Sequence, residues 1–154
     1  MIKIGDKVPD FNLPDQFDHN ITSSDLAKGM VLYYFYPKDN TPGCTLEACQ
    51  LRDNIEELEK HNVKVIGISA DSVKKHQGFS QKYNLPFTLL ADTQKSFIEA
   101  CGMLVEKSMF GKKYIGISRS SFLAKDGLVV QVWKNVKPLG HAVEVLSYLK
   151  ANQN

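Results

Sequence analysis

The spacing of hydrophobic and polar positions changes several times along the chain, and each change marks an element. Residues 30–36, MVLYYFY, form an unbroken apolar run rich in aromatics, which predicts a strand covered on both faces. Residues 63–69, VKVIGIS, predict a second buried strand, and Leu85 to Leu90 a third, broken early by Pro86. Between them the spacing turns helical. Leu46, Cys49, Ile55 and Leu58 predict a helix to about His61 with one buried side, and Arg52, Asp53, Glu56, Glu57, Glu59 and Lys60 fall mostly on its wet side. Further helices are predicted at about 73–83, where Phe79 and Tyr83 stand four apart, and at 93–101.

Residues 117–124 and 128–134 flank Lys125-Asp126-Gly127, a strong hairpin signal. Helical spacing returns from Leu139 to Leu149, and the tail ANQN is expected to fray. Upstream, Pro9, Pro14 and several Asp and Asn make residues 1–29 short extended pieces and turns, with Phe11 and Leu13 inward and Ser23 or Ser24 capping a helical turn that ends at Gly29. The glycine-punctuated stretch 102–116 reads as a loop. The order β-α-β-α-β-α, then hairpin and helix, predicts an α/β fold with a central mixed β-sheet flanked by helices. No repeat, low-complexity tract or flexible linker interrupts residues 1–154, so one domain is expected.

Composition adds little to this picture. The chain is 43% hydrophobic and 23% charged, with a formal net charge of +2. Its basic residues are spread out, which gives no argument for nucleic acid or an anionic membrane as partner. No apolar run approaches the roughly 20 residues of a membrane span. The opening MIKIGDKVPDF lacks the apolar core of a signal peptide, so a cytoplasmic protein is expected. Three cysteines, an odd number, argue against a purely structural disulfide framework.

Two of those cysteines lie in YPKDNTPGCTLEAC, Tyr36 to Cys49, between the first buried strand and the first long helix. Thr41 is a good N-cap and Pro42 suits the first helical position. Cys44 then falls in the first turn, near backbone N–H groups without helical partners and at the positive end of the macrodipole. Both favour a thiolate. A free thiol of pKa about 8.5 is already roughly 3% ionised at pH 7, so full ionisation raises its rate only about 30-fold. An efficient thiol enzyme therefore needs further groups that act on the transition state.

Cys49 is five residues on. In a regular helix that places the two Cα atoms about 8.6 Å apart and the side chains about 140° apart. A disulfide needs Cα atoms within about 7 Å. Either the pair never bonds, with Cys49 packing inside, or the first turns unwind when it does. The spacing is not the C-x-x-C of dithiol reductases. His19, His61, His76 and His141 stand alone and read as surface or loop residues, which supports neither a zinc site nor a Cys-His pair.

With these residues in view, the chain closely resembles the peroxiredoxins, and more narrowly the peroxiredoxin Q group, also called bacterioferritin comigratory proteins. The family signature Pro-x-x-x-Thr/Ser-x-x-Cys stands here as Pro37 to Cys44, within YPKDNTPGCTLEACQLRD. A second match is KYIGISRSSFLAKDG, residues 113–127, which holds the family's distant arginine at Arg119. Similarity runs from GDKVPDF to the last helix.

The resemblance implies a thioredoxin-like fold and a thiol peroxidase acting on hydrogen peroxide and organic hydroperoxides, with no cofactor and no metal. It implies Cys44 as peroxidatic nucleophile and Cys49 as the residue that resolves its sulfenic acid into an intramolecular disulfide. Thr41 would place its hydroxyl on the reacting oxygens, Pro37 would shield the site from water, and Arg119 would bring a guanidinium to the developing charge. Thioredoxin or a similar dithiol would recycle the enzyme. An intramolecular pair needs no second chain, so a monomer is expected, with a dimer as the alternative. Glu47 lies one turn beyond Cys44 and would oppose thiolate formation if it pointed inward, so it receives no role. Cys101 reads as core packing. Phe110 and Tyr114 would line the pocket or a dimer contact. The rival reading is a regulatory protein that uses the same cysteine pair as a redox switch.

Overall fold

A computed structural model describes residues 1–153. The core is built on β3, Met30–Phe35, the predicted aromatic strand. It pairs in parallel with β4, Val63–Ser69, which pairs in parallel with β5, Thr88–Ala91. On its other side it pairs antiparallel with β8, Ser120–Lys125, which turns through Asp126-Gly127 into β9, Leu128–Trp133. Both turn residues have positive φ, at 50° and 80°, as the tight hairpin requires. The five-stranded order is β5-β4-β3-β8-β9, the expected mixed sheet.

Alternation along β3 feeds both faces. Leu32, Tyr34 and Tyr36 join a core with α1 (Pro42–Asp53), α2 (Ile55–Lys60), α3 (Val73–Tyr83) and α5 (His141–Ala151). Val31, Tyr33 and Phe35 join the opposite core with α4 (Ser96–Ala100) and the N-terminal segment, where Phe11 and Leu13 are buried as predicted. In that segment β1 (Asn12–Pro14) pairs antiparallel with β2 (Asn20–Thr22), and a short 3-10 turn follows at Ser23–Leu26, capped by Thr22 rather than by a serine. Of the expected frayed tail, Asn154 lies outside the described residues.

Three expectations about secondary structure are corrected. The long helix to His61 breaks at Asn54, whose side-chain amide donates to the Gln50 carbonyl at 2.8 Å and so competes with the helical ladder. The buried side of α1 is Cys44, Glu47, Ala48 and Leu51, while Leu46 is exposed and Cys49 only half-buried. The stretch 102–116 is no loop. It holds β6 (Leu104–Met109) and β7 (Lys112–Ile117), a hairpin turning at Phe110-Gly111 with φ of 53° and 79°. Most of its side chains are exposed or half-buried, so no period-2 apolar pattern marked it.

Candidate active site

The strand β3 ends at Phe35, and the chain turns through Pro37–Asn40 into α1. Thr41 takes the extended N-cap backbone, with φ −82° and ψ 152°, and Pro42 opens the helix. Cys44 follows in the first turn and is 1% exposed. The Thr41 hydroxyl does not cap the helix. It donates to the Lys38 carbonyl at 2.8 Å. With its proton engaged there, the oxygen can offer a reacting group only lone pairs.

Arg119 comes from the far side of the sequence. It lies in the short link between β7 and β8, not on a strand as predicted, and its carbonyl accepts the Val136 N–H at 2.8 Å. Its Nη2 donates to Cys44 Sγ at 3.3 Å and its Nη1 to Glu47 Oε1 at 2.9 Å. Gly43 makes room for this approach: a Cβ there would lie 3.1 Å from Arg119 Nη2 and 3.4 Å from Pro138 Cγ. Burial opposes the guanidinium charge, but the Cys44 sulfur and the Glu47 carboxylate outweigh it and hold the Arg119 pKa above the ordinary arginine value.

Glu47, which received no role from the sequence, points inward. Helical spacing puts it on the inner face beside Cys44, 1% exposed, and its charge meets Arg119. Burial pushes its pKa from 4.5 up to about 7, against the lowering influence of Arg119. The pairing is one-sided: Oε2 has no partner. The hydroxyl of Tyr34, beneath the helix, is also buried and unpartnered. Lys107 of β6 crosses over Gly116, where a Cβ would lie 2.9 Å from its Cδ, and its pKa is lowered by burial and by Arg119, against the pull of Cys44.

Pro37 is half-buried at the mouth of the turn. Cys49 lies in the same unbroken helix as Cys44, and both thiols are free. The structure thus places Pro37, Thr41, Cys44, Cys49 and Arg119 on two adjoining segments, and brings Arg119 into contact with Cys44. Cys101 is 0% exposed in the opposite core, and burial followed by Asp92 pushes its thiol above the ordinary range. Phe110, 98% exposed at the hairpin tip, lines no buried pocket.

Two histidines also correct the sequence reading, since His76 and His141 are buried. His141 bonds Ser121 Oγ and Glu144, and burial lowers its pKa against the influence of Glu144. His76 belongs to a polar network with Tyr36, Asp39, Ser69 and Asp71 directly behind the turn. Asp39, Asp71 and His76 offer ligand-type atoms within 4.8 Å of one another. Their hydrogen bonds already engage these atoms, so the cluster reads as a network rather than a metal site. The signal for His76 was present: it stands three before Phe79 and seven before Tyr83, on the buried stripe of α3.

Comparison with known proteins bears on this geometry. Residues 4–132 match the AhpC/TSA family. Peroxiredoxin Bcp of Escherichia coli K12 is 46% identical over 97% of this chain and 96% of its own, and Peroxiredoxin Bcp of Bacillus subtilis 168 is 43% identical over the same shares. Among solved structures, a cysteine-to-serine variant of Xylella fastidiosa PrxQ superposes with a TM-score of 0.92 at 36% identity, covering 98% of this chain and 97% of that one. The Xanthomonas campestris bacterioferritin comigratory protein, described for its alkyl peroxide reduction activity, superposes with a TM-score of 0.86 at 40% identity, covering 92% and 90%. The fold is therefore the thioredoxin-like one of these neighbours.

Proposed function

The chain belongs to the AhpC/TSA family of peroxiredoxins, in its Bcp or peroxiredoxin Q branch, and is a thiol peroxidase; from that premise we propose that Cys44 is the peroxidatic nucleophile and Cys49 its resolving partner. The observation that carries the reading is the 3.3 Å contact between Arg119 Nη2 and Cys44 Sγ. A guanidinium only donates, so the sulfur is the acceptor, as a thiolate would be. The thiolate attacks one peroxide oxygen and the O–O bond breaks. The departing oxygen takes a proton and leaves as water or alcohol, and Cys44 becomes sulfenic acid. Arg119 stands beside the charge that moves from sulfur to the departing oxygen. Thr41 presents lone pairs to the hydroperoxide O–H, Pro37 limits water access, and Glu47 aims the guanidinium.

Cys49 then attacks the Cys44 sulfenic sulfur, forming the disulfide and releasing water. Helix geometry forbids this bond while α1 is intact, so the first turns unwind for that step and re-form after a thioredoxin-like dithiol reduces the bond by exchange. Substrates are hydrogen peroxide and organic hydroperoxides, and a monomer suffices. The test is peptide mass mapping after one equivalent of peroxide, which should reveal a Cys44–Cys49 link. A Cys44–Cys44 link between chains, or a sulfinic acid at Cys44 with Cys49 unmodified, would reduce Cys49 to packing. Cys44→Ser should abolish peroxide consumption with a thioredoxin system, and retained turnover would refute the nucleophile.

A further inference from the structure

Behind the catalytic turn lies a buried titratable cluster that the peroxidase chemistry does not use. His76 is 0% exposed and the Asp39 side chain 2%. The His76 Nε2 faces the Leu90 carbonyl at 2.9 Å. A carbonyl oxygen only accepts, so Nε2 carries a proton. The other nitrogen, Nδ1, lies 2.6 Å from Asp39 Oδ2. Two lone pairs cannot meet at that distance, so one further proton lies between them. Whichever atom holds it, the pair is neutral as a unit. That neutrality lets it sit in the core without a net charge to desolvate.

Everything around the pair tightens Asp39. Tyr36 donates its hydroxyl to Asp39 Oδ1 at 2.6 Å. The Asp39 N–H donates to Asp71 Oδ2 at 2.8 Å, and that oxygen also accepts from Ser69 Oγ at 2.7 Å. The turn Pro37–Asn40 is thereby tied to β3, β4 and α3 and, through Leu90, to β5. Asn40 is the next residue, with φ of 62°, and Thr41 follows it. The downstream part of α1 has its own anchors, for Arg52 Nη1 donates to the Tyr83 carbonyl at 2.7 Å and Gly140 N–H to Gln50 Oε1 at 2.9 Å. Residues 40–49, which hold both proposed working cysteines, lie between these two fixed points.

We propose that His76 is a positioning residue for the peroxidase reaction: with Asp39 it clamps the upstream end of the segment that must be helical for peroxide attack and unwound for disulfide formation. Breaking the clamp therefore shifts the balance between the two steps in opposite directions. The second half rests on the proposed Cys44–Cys49 disulfide. The first half does not.

The test is stopped-flow kinetics on the full chain with four substitutions. The peroxide step is read in a Cys49→Ser background and the resolution step in the parent. His76→Leu should slow the peroxide step about tenfold, the loss expected from one to two buried hydrogen bonds, while resolution stays equal or becomes faster. Asp39→Ala should do the same. Asp39→Asn should stay within about threefold of the parent, because its amide can donate to a neutral His76 and its oxygen can still accept from Tyr36. Tyr36→Phe should give a smaller effect of the same sign as His76→Leu. The proposal is overturned if the two steps fall together, which would mark a loss of folded protein, if neither moves, or if Asp39→Asn is as damaging as His76→Leu. If the parent forms no Cys44–Cys49 disulfide, the reading of Cys49 fails, and the peroxide step in Cys49→Ser alone decides the clamp.

Discussion

Two buried polar clusters flank the start of α1, and they are built in opposite ways. Behind the turn, around Asp39 and His76, no buried side-chain atom among the described residues lacks a partner. Beneath the helix, around Cys44 and Arg119, Glu47 Oε2 and the Tyr34 hydroxyl have none. Unpartnered buried groups cost free energy, and satisfied networks rigidify. In the proposed mechanism the difference separates support from chemistry. The satisfied cluster would hold the turn in place. The unsatisfied one gathers a cation, a sulfur and a carboxyl group of raised pKa, where new charge on a reacting oxygen would be met by groups already in position.

The largest expected effect lies at the unsatisfied cluster. Arg119→Ala should slow the peroxide step, measured by stopped flow, by far more than about 30-fold. A smaller loss would mean that the arginine acts only through the thiolate fraction, and the contrast between the clusters would lose its catalytic half.

Glu47→Gln sharpens the same contrast. At pH 8, above the Glu47 pKa of about 7, replacing the charged partner of Arg119 by a neutral acceptor should slow the peroxide step about tenfold, because charge-assisted bonds are about twice as strong as neutral ones. Stability should move the other way. The folded state keeps the Glu47 proton up to about pH 7, whereas the ordinary carboxyl releases it near 4.5. Between those values the folded protein binds more protons than the unfolded chain, so this group's contribution to stability falls as pH rises. Above pH 7 the glutamine variant should therefore exceed the parent by roughly 2–3 kcal/mol, and at pH 4 the two should converge. Urea unfolding at pH 4 and pH 8 checks this. A parallel pair of curves would show that Arg119 fully compensates the carboxylate.

The smallest effect comes from two neighbouring tyrosines. Tyr34 and Tyr36 stack at 5.4 Å between centroids, and both are buried. Tyr36→Phe removes a hydroxyl bonded to Asp39 in a pair that is neutral as a unit, and should cost about 1 kcal/mol, as for an ordinary buried hydrogen bond. Tyr34→Phe removes an unpartnered hydroxyl whose burial costs free energy, and should raise stability by roughly 1 kcal/mol. Equal losses in urea unfolding would erase the distinction between the clusters.

Most of the sheet and helices were legible because burial imposes a period. MVLYYFY is β3, VKVIGIS is β4, and Asp126-Gly127 turns β8 into β9 at positive φ. The β6–β7 hairpin was not legible, because Lys107, Met109, Lys113 and Ile115 leave neither face continuously buried. In the site, the signature residues Pro37, Thr41, Cys44 and Arg119 stood out from the resemblance. Glu47 and His76 did not. Their charge or polarity suggested solvent, and only their helical spacing pointed inward.

The sequence by itself determined the helix start at Thr41-Pro42, the position of Cys44 in its first turn, and the helical separation that keeps Cys44 from Cys49. These follow from local backbone geometry, which neighbours in the chain dictate. Only the tertiary structure decided that Arg119, 75 residues from Cys44, reaches its sulfur. Nor could the sequence decide that Arg119 meets Glu47 on the inner face of α1, or that His76, 37 residues from Asp39, closes on the turn from behind. Those contacts depend on sheet order and helix placement, which set distances that no local spacing encodes.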